Sequence, residues 1–269
     1  MSLLKLPKIV VSALIALHLS ACNSAPTRTD EIANFAVLPA SDNSQGCVAE
    51  GPSKGNVSVL LIGNSLMNDV QSKLEQLLVC GGYTTDLATS NPGGYFLHQH
   101  VTNEETNRLI AKGYDLTLLQ EQSRGILNHE APYETINELK RKIEAAGSRM
   151  GFYQTWAFQE RNPTVTSSIL SRYESISQEL SSPIVPIGRA WDYFYTSHNE
   201  SPPFELFLDY AHATEHGKSL IAYVLYAFLT GNSPVNLSAL TLSEDEALEL
   251  QSIAWATFRS FSGQKKSAA

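Results

Sequence analysis

Cysteine is scarce in this sequence: three residues in 269, at positions 22, 47 and 80, and no Cys-x-x-Cys pair. That spacing does not supply the four clustered ligands of a structural zinc site. Runs of cations are missing too. Nineteen Lys and Arg stand against 27 Asp and Glu for a net charge of −8, and apart from the final "QKKSAA" the cations are scattered. Binding a phosphate backbone needs clustered positive charge, so nucleic acid is not an expected partner. Internal repeats and low-complexity tracts do not occur. What is present is the balance of a folded globular protein, 43% apolar and 17% charged, in a length that makes one large domain or at most two.

The longest apolar run comes first in the chain. "MSLLKLPK" carries Lys5 and Lys8, "IVVSALIALHL" is apolar but too short to span a bilayer, and small residues close it in "SAC". Residues 1–21 therefore read as a signal peptide. The "LSAC" ending resembles a bacterial lipobox, which would make Cys22 the first mature residue and the site of lipid attachment; an ordinary signal peptide with an incidental cysteine is the alternative. Residues 22–55 are polar, with Pro, Ser and Asn throughout, and read as a tether. The folded body is expected over 56–262 and a short tail over 263–269. The expected location is the bacterial cell envelope, held to a membrane by lipid and facing the periplasm or the cell surface. In an oxidising compartment Cys47 and Cys80 can pair; two buried free thiols are the alternative.

From Val57 the pattern is regular. Near-continuous apolar runs ("VSVLLIG", "YTTDLATS", "YDLTLLQ", "MGFYQTWA", "PIVPIG") alternate with helical stretches ("DVQSKLEQLLVCGG", "HQHVTNEETNRLIAKG", "YETINELKRKIEAAG", "VTSSILSRYESISQELS", "EHGKSLIAYVLYAFLTG"). Alternating strands and helices call for a parallel sheet buried on both faces. The fold class is α/β: a three-layer α/β/α sandwich on a mostly parallel five-stranded sheet. Reactive loops in such sheets lie beyond the carboxyl ends of the strands. Ser65, Gly93 and Gly94, Gln120 and Gln122, and Trp156 each follow a different strand, so one rim should gather them.

Ser65 ends the first strand in "LLIGNSLM". As a nucleophile it needs a base within hydrogen-bond reach, and the base needs a group that fixes its tautomer. Asp209 and His212 in "FLDYAHATEHGKS" lie three apart, so one short loop can supply both. A surface loop with a cap is the plainer reading of Asp-x-x-His taken alone. His98 and His100, with Glu104 near them, read as solvated residues at a helix start, not as metal ligands, and no cofactor is implied.

Four segments together resemble the SGNH (GDSL-type) hydrolase superfamily: "LLIGNSLMND", "NPGGYFLHQH", "DLTLLQEQS" and "LDYAHATEHGKSLIA". The resemblance runs from about Val57 to Leu229 and implies a flavodoxin-like sandwich. It casts Ser65, His212 and Asp209 as the catalytic triad, and the Ser65 and Gly94 amides as oxyanion donors. Asn64 stands where many members have Asp and is expected at the substrate cleft. Trp156 reads first as a packing residue, with a wall of the cleft as its alternative role, because aromatic faces suit sugar rings. The third segment departs from the family. Most members have Gly-x-Asn-Asp there, with the Asn amide on the oxyanion, whereas this chain has "QEQSR". A glutamine carries the same N–H donor on a longer arm; Gln120 and Gln122 both qualify.

The resemblance thus implies a serine esterase and, of its substrate, only the bond type; the exported position makes short-chain or O-acetylated carbohydrate esters the expected class, and a monomer is expected. A non-catalytic carbohydrate-binding lipoprotein on the same fold is the rival, favoured by the altered third segment. An acyltransferase using the same serine is a further alternative.

Overall fold

The computed structural model of the chain describes residues 53–127, 131–159, 162–199 and 201–267. The segments expected to be a signal peptide and a tether lie outside those residues, nearly all of the latter and both Cys22 and Cys47 included. β1 (Asn56–Ile62), β2 (Thr84–Ser90), β3 (Leu116–Leu119), β4 (Arg149–Tyr153) and β5 (Ile184–Val185) form one sheet in the order β2-β1-β3-β4-β5, with every neighbouring pair parallel.

The near-continuous apolar strands follow from this topology. Successive side chains of a strand point to opposite faces, so a strand covered on both sides must be apolar at every position. In β1, Val59 and Leu61 join one core while Leu60 and Ile62 join the other. The first core is closed by α1 (Val70–Cys80), α6 (Ile187–Ser197), α7 (Glu215–Thr230) and α8 (Glu244–Ser267); the second by α3 (Glu104–Ile110), α4 (Ala131–Ala145) and α5 (Pro163–Glu179). β2 lies at the edge and is correspondingly polar, with Thr84 and Asp86 exposed.

Helix α7 is buried at every position from Leu220 to Ala227. A helix apolar all round needs cover on both sides, and α1 and α8 provide it. α8 has no counterpart in the sequence reading, and it runs through Ser267 where a tail from 263 was expected. The single helix expected from "HQHVTNEETNRLIAKG" is two, α2 (Leu97–His100) and α3. Asn103 divides them: its extended backbone stops the first, and its side chain accepts from Thr106 N at 2.9 Å to cap the second. Cys80 closes α1 and is disulfide-bonded. Its expected partner, Cys47, lies outside the described residues. Among the described residues no helix is long and apolar enough to cross a membrane.

Candidate active site

The parallel register brings the carboxyl ends of β1, β3 and β4 to one rim, with Ile62 beside Leu119 and Leu119 beside Phe152. The chain leaves β1 through Gly63 and Asn64 into a single 3-10 turn, Ser65–Met67. Asn64 caps this turn, its Oδ1 accepting from Leu66 N at 3.1 Å. α1 starts only at Val70, after Asp69 in the left-handed region (φ 61°). Any oxyanion donation from Ser65 N therefore comes from a one-turn segment and not from the end of a long helix dipole.

The base arrives from the far end of the sequence. Residues 207–213 form a tight loop closed by a bridge between Phe207 and Ala213 and by Leu208 N donating to His212 O at 2.8 Å. Inside it, Asp209 Oδ1 accepts from both Ala211 N and His212 N at 2.8 Å. The Asp-x-x-His spacing is thus self-organising, since the carboxylate that faces the imidazole also folds the loop that carries it. Asp209 Oδ2 is 2.8 Å from His212 Nδ1, and His212 Nε2 is 2.9 Å from Ser65 Oγ. With Nδ1–H donating to the carboxylate, Nε2 is left to accept the Ser65 hydroxyl proton. The N–H groups of His212 and Ala211, then the imidazole, pull the Asp209 carboxyl down to about 2, so it stays ionised at mildly acid and neutral pH.

Two residues named for the cleft, Asn64 and Trp156, are buried and brace the loops of the site. Asn64 is 2% exposed, and its Nδ2 donates to Tyr95 O at 2.8 Å, tying the serine turn to the loop after β2. Trp156 is 1% exposed. It stacks on Trp191 with centroids 4.1 Å apart, and its Nε1 donates to Ala211 O at 3.1 Å, from behind the His212 loop. A cavity of about 80 Å³ borders it on the α5–α6 side, lined also by Pro163, Gly188 and Tyr195.

The two glutamines differ sharply. Gln120 is fully buried; its Oε1 accepts from Asn64 N at 2.9 Å and its Nε2 donates to Glu121 O at 2.7 Å. Its amide already serves the serine turn from below, which removes it as an oxyanion donor. Gln122 is half-buried, and its Oε1 accepts from Arg124 N and Gly125 N at 2.8 and 2.9 Å. Those contacts leave its Nε2 unused, so Gln122 is the better candidate. Gly94 has φ 74° and open space where a Cβ would be. It is a glycine because of its backbone conformation, not because of crowding.

Gly63 is the opposite case. A Cβ there would overlap Gln120 Oε1 and lie 2.8 Å from Met67 Cε and 2.9 Å from Gln120 Cβ. Gly63→Ala should cost about 1–3 kcal/mol by overpacking and slow turnover, because Gln120 must release Asn64 N. Urea midpoint and kcat measured together check this, and an unchanged midpoint would contradict it.

Several contributors were not foreseen. Arg124 Nη2 donates to Tyr210 OH at 2.6 Å and packs over Phe158, 5.1 Å from its centroid, linking the loop after β3 to the His212 loop. Glu121 is buried beside Gln122. His100 is fully buried, and its Nε2 donates to Gly63 O at 2.7 Å; burial lowers its pKa, so it braces the serine turn as a neutral ring. His98 stacks on Phe96 and stays exposed. Among the described residues no three His, Cys, Asp or Glu side chains gather as metal ligands. The exposed large apolar side chains among the described residues are Phe96, Leu208 and Tyr210. All three lie on loops flanking Ser65 and His212.

No protein-family model and no curated protein matches the sequence. Solved structures do match. A DUF4886 family protein from Bacteroides uniformis aligns over 77% of this chain and 95% of its own, with 18% identity and a TM-score of 0.64. TesA aligns over 64% of this chain and 98% of its own, with 13% identity and a TM-score of 0.50. The fold is that of the SGNH hydrolases. A lipolytic G-D-S-L family protein from Veillonella parvula is more distant, with 14% identity over 65% of this chain and 97% of its own and a TM-score of 0.47. On this SGNH scaffold the altered third segment has a local explanation: Gln120 and Glu121 are turned inward to hold neighbouring loops, and Gln122 alone of the three stays at the rim.

Proposed function

We propose that the protein is a serine esterase. The observation that carries the reading is the unbroken line from Asp209 Oδ2 through His212 to Ser65 Oγ, with hydrogen-bond distances of 2.8 and 2.9 Å. In this mechanism His212 Nε2 takes the proton as Ser65 Oγ attacks the ester carbonyl. The carbonyl oxygen becomes an oxyanion held by Ser65 N, Gly94 N and Gln122 Nε2. The C–O bond to the alcohol breaks, and His212 returns the proton to the leaving oxygen. Water then enters, His212 deprotonates it, and its attack on the acyl-enzyme releases the acid and restores Ser65.

The substrate class proposed is a short-chain ester, an O-acetylated glycan being the first choice for an envelope lipoprotein anchored through Cys22. The expected location and the shallow, half-exposed setting of the triad support that choice. Reaction with a fluorophosphonate, followed by peptide mass spectrometry, tests the mechanism. The adduct should sit on the Ser65 peptide and should abolish turnover of p-nitrophenyl acetate. A protein that neither turns over the ester nor takes the adduct is not an esterase, and glycan binding by it would favour the non-catalytic rival. Transfer of acetyl to an added sugar in preference to water would make the enzyme an acyltransferase.

A further inference from the structure

Glu121 is an acid at the end of an apolar strand, only 3% exposed. Its carboxylate accepts from Gln122 N at 2.7 Å and from Leu97 N at 3.2 and 3.3 Å. Leu97 opens α2, directly after the Gly93–Gly94 loop; Gln122 stands on the loop after β3. One buried side chain therefore clasps the two loops that carry the oxyanion donors Gly94 and Gln122. We propose that Glu121 is a positioning residue for the oxyanion hole: its ionised carboxylate, by holding Leu97 N and Gln122 N together, sets the spacing of those two loops. The inference rests on the esterase reading.

The packing shows how little else does this work. Phe96 and Gly125 close around the carboxyl, since a Cβ on Gly125 would lie 2.9 Å from the Phe96 ring and 3.0 Å from Glu121 Oε1. The polar group facing it from α5 is Tyr173, whose hydroxyl bonds the Glu121 backbone N and O at 3.1 and 3.2 Å and is kept a neutral phenol by burial. From the α2 side, His98 is stacked on Phe96. On its own loop Arg124 is directed to Tyr210. Burial raises the Glu121 carboxyl to about 7, against the pull of the Gln122 and Leu97 amides. Both of its hydrogen-bond partners among the described residues are N–H donors; Oε1 accepts from both and Oε2 from Leu97 N, so a proton on Oε2 removes one Leu97 contact and the negative charge that strengthens the other two.

The signs follow. Between its ordinary value of 4.5 and about 7 the folded state binds the proton more tightly than the unfolded chain, so Glu121 makes stability fall as pH rises through that window. Activity should move the other way, because the ionised form sets the loops.

Glu121→Gln tests the inference on the full chain. The kcat for p-nitrophenyl acetate should fall about tenfold or more, with KM within about twofold. The acid limb of log kcat against pH should need two deprotonations in the wild type and one in the variant. Independently of turnover, the NMR amide shifts of Leu97 and Gln122 should move together through one titration in the wild type and stay still in the variant. An active wild type whose variant matches it in kcat and in limb slope overturns the inference. So does a rise in kcat, which would mean that the carboxylate's charge opposes the oxyanion more than its hydrogen bonds help. Amide shifts that do not titrate in the wild type overturn the clasp itself, even if no ester is turned over; absence of turnover with titrating amides removes the esterase reading and confines the clasp to the fold.

Discussion

Alanine at His212 should lower kcat for p-nitrophenyl acetate by roughly 10⁴–10⁶-fold, and alanine at Ser65 by about as much. KM should change little, because both contacts strengthen only as the oxyanion forms. A serine hydroxyl at neutral pH is a poor nucleophile until a base removes its proton, and the ring nitrogen 2.9 Å from Ser65 Oγ is the one base in hydrogen-bond contact with it among the described residues. The two residues act as one unit, so the double alanine variant should be no worse than either single one. Whatever activity remains belongs to Gly94, Gln122 and substrate binding. The measurement is steady-state kinetics of the three variants with thermal melts alongside. If the two losses multiply in the double variant, the serine and the imidazole work in separate steps and the proposed cycle is wrong. Asp209 should not supply the acid limb of the pH profile, because its carboxyl is held at about 2.

Much of this arrangement was legible in the sequence, for reasons that differ by element. The sheet could be read because strands buried on both faces leave apolar runs that nothing else in the chain imitates. The Asp209–His212 pair could be read because its geometry is local: two backbone amides and an imidazole meet one carboxylate within four residues. The braces could not. Gln120, Asn64 and His100 act through partners 31 to 56 residues away, and a polar residue after a strand looks the same whether it turns toward substrate or under the nucleophile. Trp156 kept two readings in the sequence for the same reason: an aromatic at a rim position suits a cleft wall as well as a prop. α8 escaped notice because its pattern is weak. It packs on α7, which is apolar all round and gives no single stripe for a partner to match. The acid at Glu121 in "LLQEQ" was the one available hint, since a charged residue continuing an apolar strand must find donors inside the fold.

The prop behind the His212 loop sets the other large effect. Besides the Arg124–Tyr210 contact, two features that hold residues 207–213 against the sheet can be weighed against each other. One is an ionic cluster at the start of α7, where Lys218 bonds Asp69 and Glu215 at 2.7 and 3.1 Å and Lys73 bonds Glu215 at 2.8 Å. The Asp69 and Glu215 side chains are 67% and 53% exposed while Lys73 and Lys218 lie mostly under cover; with one partner of each pair in water the attraction is screened to about 0–1 kcal/mol each. The other is Trp156, buried between the sheet and the loop, stacked on Trp191 and bonded to Ala211 O. Truncating a buried tryptophan to alanine costs about 3–5 kcal/mol, a large part of the roughly 5–15 kcal/mol that holds a domain together. Packing therefore outweighs the ion pairs. Trp156→Ala should unfold at a markedly lower urea midpoint, while Lys218→Ala should shift it little. Trp156→Phe separates the two contributions of the indole: it keeps most of the stacking face and loses the bond to Ala211 O, worth about 0.5–1.5 kcal/mol. That variant should remain folded and yet lose activity, because the carbonyl it releases lies next to the residue that presents the base to Ser65. Full activity in a folded Trp156→Phe enzyme would mean that the loop keeps its shape by its own hydrogen bonds, those of Asp209 and that of Leu208 N to His212 O.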